Sequence, residues 1–388
     1  MDVNTTTGPV RGIATDTTGR TTAFRGIPYA TAKRLQPPTP YPRWTETKTA
    51  DRPGPAAPQL PSRLARIMGD HDADWAEDGC LNLNVWTTGA ATKKPVLFWI
   101  HGGGFSSGSG GWDWYDGGLL AARHDIVVVT MNYRLGPFGY LYRPEIGADN
   151  LGARDQRAAL EWVYDNIAAF GGDRDRITVG GQSAGAYSSL YLAIDPATRD
   201  LMRRVVLQSG PWGLPPMDPA TAEQATKTFV QNLDADPLTV PAEQLLDTAL
   251  TMPGAAPGSP AFYPVLGGAG FPAAWPDVDL SDLNVLVGFT KDEDVAFPGL
   301  QSLFETGVHA IAKASANAFT YRFDRSGPMG APHCVELPSL FGTFDAFGQS
   351  PMFDPDAPRT TDFGDSVAQF TKTGDPGWPH SPKFRYFV

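Results

Sequence analysis

Apolar residues in this chain gather in short unbroken runs, separated by stretches in which they recur every three or four positions. Val96-Leu97-Phe98-Trp99-Ile100 and Ile126-Val127-Val128-Val129-Thr130-Met131 lack polar alternation, the pattern of strands buried on both faces. Leu81 to Trp86, Ile177-Thr178-Val179, Val205-Val206-Leu207 and Val285-Leu286-Val287 read as further strands. Between them, Ala158, Ala159, Trp162, Val163 and Ile167 share one face of a helix over 153–169, closed by Gly171-Gly172. A second, apolar helix runs from Ala184 to about Ile194. Strands alternating with helices predict one α/β domain over 1–388, a mostly parallel central sheet with helices on both faces. The alternation lapses between Gly210 and Asn284. There Asp218-Pro219 gives a helix start, Ala222, Ala225, Phe229 and Leu233 give helical spacing, and Pro241 to Leu250 forms a second helical stretch. Residues 214–275 are therefore expected to form a small helical cap over the carboxyl ends of the strands, where such sheets bind ligands.

Charge narrows the partners. The 388 residues carry 31 Lys+Arg against 42 Asp+Glu, a net charge of -11 with no Lys/Arg-rich run. That balance argues against nucleic acid or an anionic membrane surface as partner. The first residues lack the basic and apolar regions of a signal peptide, and no apolar run is long enough to span a bilayer. Two distant cysteines, Cys80 and Cys334, do not make a disulfide framework, so a reducing, cytoplasmic location is expected.

Chemistry enters where the strands end. Gly181-Gln182-Ser183-Ala184-Gly185 fits G-x-S-x-G, the sharp strand-to-helix turn that lifts a serine hydroxyl clear of the sheet. Gly104-Phe105-Ser106-Ser107-Gly108 fits the same pattern. Context separates the two: Ser183 follows a strand and precedes an apolar helix, whereas Ser106 runs into Gly108-Ser109-Gly110-Gly111, which cannot start a stable helix. His101-Gly102-Gly103-Gly104 follows directly on the strand ending at Ile100. Hydrolysis through a tetrahedral oxyanion needs backbone N–H donors aimed in advance; Gly103, Gly104 and Ala184 are the candidates. His101 precedes the serine, the wrong chain order for a base in this arrangement, and reads as an anchor for its loop. Three histidines follow Ser183: His309, His333 and His380. The strand ending near Phe289 leads into Asp292-Glu293-Asp294, and composition alone does not choose among these acids.

Several long motifs in matching order make the chain similar to the type-B carboxylesterases, the group that includes para-nitrobenzyl esterases and cholinesterases. Phe24-Arg25-Gly26-Ile27-Pro28-Tyr29-Ala30, Glu77 to Trp86, His101 to Phe105, Asn132-Tyr133-Arg134-Leu135-Gly136 and Phe170-Gly171-Gly172-Asp173 all resemble stretches of that family. The resemblance implies an α/β-hydrolase fold with Ser183 as nucleophile. Gly330-Ala331-Pro332-His333 resembles G-A-x-H and implies His333 as base. Glu293, in a stretch similar to G-x-x-x-x-E-G, is implied as the supporting acid. Trp212 resembles an acyl-pocket position; Phe105 and Phe297, beside motif loops, are the other expected pocket residues. The implied reaction is hydrolysis of a small-molecule ester through an acyl-enzyme, with no metal and no other cofactor. A thioesterase, amidase or lactonase would use the same residues, and related folds also serve as non-catalytic binding modules. The chain departs from the family pattern in places. Gln182 stands where the family has Glu, Asp294 where it has Gly, and no cysteine lies near Ala57 to pair with Cys80, which is expected to be a free thiol. The interval from Glu293 to His333 is short, which implies a reduced cap and an open mouth that admits bulky esters.

Overall fold

The computed structural model describes residues 1–15, 20–69, 71, 74–91, 93–272, 274–275 and 278–388. A ten-stranded sheet runs through it. Its strands in chain order are β1 (Ile13–Ala14), β2 (Thr22–Pro28), β3 (Asn82–Thr87), β4 (Lys94–Ile100), β5 (Val127–Met131), β6 (Gly172–Gln182), β7 (Arg204–Gln208), β8 (Asn284–Thr290), β9 (Asn317–Phe323) and β10 (Phe384–Phe387). Across the sheet they lie in the order β10-β9-β8-β7-β6-β4-β5-β3-β2-β1. Every pair from β5 to β10 is parallel. The pairs β5–β3, β3–β2 and β2–β1 are antiparallel.

The unbroken apolar runs are explained by what lies on each side. Successive side chains of a strand point to opposite faces. In β4, Val96, Phe98 and Ile100 enter one core while Leu97 and Trp99 enter a second on the far face. In β7, Val205 and Leu207 divide from Val206 in the same way, and in β8 Val287 divides from Leu286. The first core lies under the helices Leu151–Asn166 (α1), Ala184–Ile194 (α2) and Gln301–Lys313 (α5). The second lies under Leu337–Phe341 (α6) and Asp362–Thr373 (α7). Both faces of the central strands are buried in apolar cores, which is why no alternation is seen.

The expected helix over 153–169 is α1 followed by a 3-10 turn, Ile167–Phe170, ended by Gly171 at φ +86°. Strand β6 is longer than Ile177–Val179. The 214–275 region contains the two expected helices, Pro219–Leu233 (α3) and Ala242–Thr251 (α4). Asp218 caps α3, its carboxylate accepting from Thr221 N at 3.0 Å, with Pro219 at the first helical position. Phe229 of α3 packs edge-on against Phe262.

The parallel order brings the motifs to one edge. In the register of the sheet, Ile100 is level with Gly181, Gln182 with Gln208, and Gln208 with Gly288. The segments after β4, β6, β7, β8 and β9 therefore leave the sheet together. Under this edge, Arg134 and Asp155 form a buried two-pronged ion pair at 2.7 and 2.8 Å, which ties the Asn132–Gly136 segment to α1.

Candidate active site

The turn between β6 and α2 is tight because small residues allow it. A Cβ on Gly185 would stand 2.0 Å from the Ile100 carbonyl oxygen, so only glycine lets α2 begin against β4. Ser183 takes φ +58°, ψ −123°, a conformation L-residues rarely adopt. It is held there by its N–H to Gln208 O at 2.8 Å and by Tyr187 N donating to its own carbonyl at 3.0 Å. Phe105, Ser209 and Cys334, in the loops at this edge, also have positive φ.

The 101–104 loop packs directly on that turn. A Cβ on Gly102 would lie 2.8 Å from Gln182 O and 3.2 Å from Ser183 Cβ. Gly103 has φ +110°, and any side chain there would collide with Ser107 O at 1.9 Å. The loop is anchored by His101, which is fully buried and stacked on Tyr133 at 4.5 Å. Its Nδ1 is 2.8 Å from Gly102 O, and Tyr133 Oη donates to His101 O at 3.0 Å. Burial pushes the His101 imidazole down to about 4, so it stays neutral, as an anchor should. Ser106 sits within the loop, its Oγ 3.2 Å from Gly103 O, away from any strand-to-helix turn.

On the other side of the turn, His333 Nδ1 lies 2.5 Å from Glu293 Oε2, and both side chains are wholly buried. Thr290 N donates to Glu293 Oε1 at 3.0 Å and fixes the carboxylate. The acids on either side of Glu293 do other work. Asp292 accepts from Ala331 N at 2.8 Å and so ties down the loop that carries His333. Asp294 is exposed. His309 and His380 are exposed as well. With a proton on Nδ1 facing Glu293, His333 Nε2 presents its lone pair. That lone pair faces Gln182, whose Nε2 is 3.0 Å away and donates to it. The imidazole therefore meets the turn one residue before Ser183, and among the described residues the Ser183 hydroxyl makes no hydrogen bond of its own to His333.

A model of the carboxylesterase family matches residues 1–300. A probable N-octanoylanthranilate hydrolase, AqdA2, from Rhodococcus erythropolis is 37% identical, with 99% of this chain and 96% of that protein covered. The chain belongs to the carboxylesterase family. The para-nitrobenzyl esterase of Bacillus subtilis is 34% identical, over 92% of this chain and 88% of its own. A solved para-nitrobenzyl esterase superposes with a TM-score of 0.87 at 28% identity, covering 100% of this chain and 96% of that one. The α/β-hydrolase fold and the assignment as a carboxylesterase hydrolase follow.

In this carboxylesterase the expected pocket residues differ in position. Phe297 is half-buried and meets the His333 ring edge-on at 5.1 Å. Trp212 is 1% exposed, stacked on Tyr187 at 6.3 Å and edge-on to Trp275 at 6.2 Å. Phe105 is 2% exposed and packs against Tyr140 and Tyr187 in the first core. Three residues near the site escaped the sequence reading. Phe304 of α5 packs on the imidazole at 4.7 Å; its helical spacing looks like that of any core residue. Gln182 is visible as a departure from the family pattern, but its contact with His333 spans 151 positions and leaves no local signal. Glu336 is fully buried, and neither carboxyl oxygen has a hydrogen-bond partner among the described residues. Burial, and then the charge of Glu293, push it up to about 8. Cys80 and Cys334 are both free and buried. Among the described residues no group of three or more His, Cys, Asp or Glu side chains could hold a metal ion, and no helix is long and apolar enough to cross a membrane.

Proposed function

We propose that this carboxylesterase cleaves carboxylic esters with Ser183 as nucleophile, His333 as general base and Glu293 as the acid that orients the imidazole. The observation that carries this reading is the buried Glu293–His333 contact at 2.5 Å, with the second ring nitrogen turned toward the Gln182–Ser183 turn. Glu293 holds the Nδ1–H tautomer and steadies the imidazolium that forms. A change in the Gln182 side chain frees Nε2 to take the Ser183 proton as Oγ attacks the carbonyl carbon. The oxyanion is received by the N–H groups of Gly103, Gly104 and Ala184. The imidazolium returns its proton to the departing alcohol, and an acyl-enzyme remains on Ser183. Water, activated by the same nitrogen, then releases the acid. The helices of 214–275 act as a reduced cap, and Trp212, Phe105 and Phe297 shape the acyl side, Phe105 from beneath the loop.

A second reading, cleavage of N-acyl compounds by the same residues, is favoured by the relative named for N-octanoylanthranilate. Stopped-flow mixing with para-nitrophenyl esters tests the scheme. A burst of nitrophenolate equal to the enzyme concentration is expected, and Ser183→Ala should lower kcat on the order of 10⁶-fold with the fold intact. A Ser183→Ala enzyme that still turns over contradicts it. Matched ester and amide substrates separate the two readings, and a ladder of acyl sizes tests the open mouth: rates that collapse beyond short acyl groups would exclude it.

A further inference from the structure

Charge and shape beside the 101–104 loop bear on the class of substrate. A cavity of about 220 Å³ opens between Ser106 and Gly136-Pro137 on one side and α4 with the chain that follows it on the other. Leu60, Leu246, Leu250, Met252 and Phe262 wall it, and Arg63 is the one charged side chain among the described residues that line it. Leu250, at its rim, is 70% exposed, a large apolar side chain left in water. The Arg63 guanidinium lies over Gly104: a methyl group built on that glycine would stand 2.9 Å from Arg63 Nη2. Among the described residues no carboxylate pairs with Arg63 and no acceptor takes its N–H groups. Some arginines of this acidic chain pair with acids, Arg25 with Asp116, Arg34 with Glu77 and Arg134 with Asp155, and others such as Arg204 do not; Arg63 is set apart by its place at the mouth of an apolar cavity beside Gly104. A cation without a partner, beside a candidate oxyanion donor and facing an apolar cavity, has the chemistry to hold an anion that arrives with the substrate.

We propose that Arg63 is a specificity-determining residue that binds an anionic group of the substrate, so that this site takes acyl compounds with an apolar chain and a carboxylate a few bonds from the scissile carbonyl. The proposal rests on the reading of Ser183 given above. The planar fork of the guanidinium matches both oxygens of a carboxylate. The cavity walls remove the alkyl chain from water. Fixed at both points, the substrate's carbonyl oxygen is brought to the N–H groups of Gly103 and Gly104 in one register. A neutral analogue of the same size fills the cavity equally but forfeits the charge-assisted contact.

Phenyl octanoates with an ortho carboxylate or an ortho carboxamide have nearly the same shape and differ in charge. Their kcat/KM values are to be measured for the wild-type protein, Arg63→Gln and Arg63→Lys, with spontaneous hydrolysis subtracted. Arg63 is exposed and bonded to no described residue, so both variants are expected to fold, which circular dichroism checks. The wild-type protein should favour the carboxylate about tenfold. Arg63→Gln should bring the ratio close to one, and Arg63→Lys should keep part of it, as a point charge without the fork. Added salt should also shrink the wild-type ratio. A wild-type ratio near one, or a ratio that Arg63→Gln leaves unchanged, overturns the role of Arg63 while the Ser183 reading stands. If the wild-type protein hydrolyses neither octanoate but still cleaves para-nitrophenyl acetate, this proposal fails and the Ser183 reading stands; if it cleaves none of the three, both fail.

Discussion

A second buried carboxyl, that of Glu336, lies close to the Glu293–His333 pair. Two buried carboxylates near each other cannot both ionise cheaply. Glu293 has Thr290 N and the imidazole as partners, whereas Glu336 has only the Ser209 hydroxyl and its own backbone nearby, too weak to offset its burial. Glu336 is therefore the one that keeps its proton at neutral pH, raised from 4.5 to about 8. The consequence for stability has a definite sign. Below pH 4.5 both the folded and unfolded chains hold this proton, and the group costs nothing. From there to about pH 8 the unfolded chain has lost the proton and the native state retains it, so stability falls as pH rises; above that the loss is complete. Glu336→Gln removes the ionisation. Relative to the wild-type protein it should gain nothing at pH 4 and about 5 kcal/mol by pH 9, read by urea unfolding at each pH. An equal difference at both values would refute this account of Glu336. The choice among Asp292, Glu293 and Asp294 was likewise invisible in composition. In the structure the β8–α5 connection points one at the imidazole, one at the Ala331 amide and one at solvent.

At the scale of elements, the central strands were legible because burial on both faces leaves a run of apolar residues with no other explanation. The edges were not. In β9, Asn317-Ala318-Phe319-Thr320-Tyr321-Arg322-Phe323 mixes polar and apolar residues, and its partner β10 carries Arg385 and Tyr386 exposed. The antiparallel strands β1 to β3 are too short or too turn-rich to announce their pairing. The strand-to-helix turn was legible by its glycines, and packing now gives them a measurable weight. Gly185→Ala would drive a Cβ to 2.0 Å from Ile100 O, so α2 must move off β4 and take Ser183 with it. The expected result is a loss of about 1–3 kcal/mol in stability, seen as a lower Tm, with a fall in kcat larger than that in folded protein. Wild-type kcat in a Gly185→Ala protein of lowered Tm would mean that the turn does not position the serine.

Taken as a whole, the molecule places chemistry by topology. Seven parallel strands deliver the 101–104 loop, Ser183, Glu293 and His333 to the same edge, although these residues are spread over most of the chain. The strand-by-strand order of the motifs is legible in the sequence for the 101–104 loop, Ser183 and Glu293, because each follows an apolar run that forms a strand of this sheet. The sequence could not foretell that Gln182 occupies the free nitrogen of His333, because that contact exists only once two distant loops are folded together. The central claim is that this edge makes one hydroxyl, and not that of Ser106, a nucleophile. Its most direct test is reaction with an organophosphate that phosphorylates activated serines, followed by mass spectrometry of the peptides. The account predicts one adduct per chain, on Ser183, formed in step with loss of activity and absent when His333 is replaced by Ala. An adduct on Ser106, or complete inactivation with Ser183 unmodified, would contradict it.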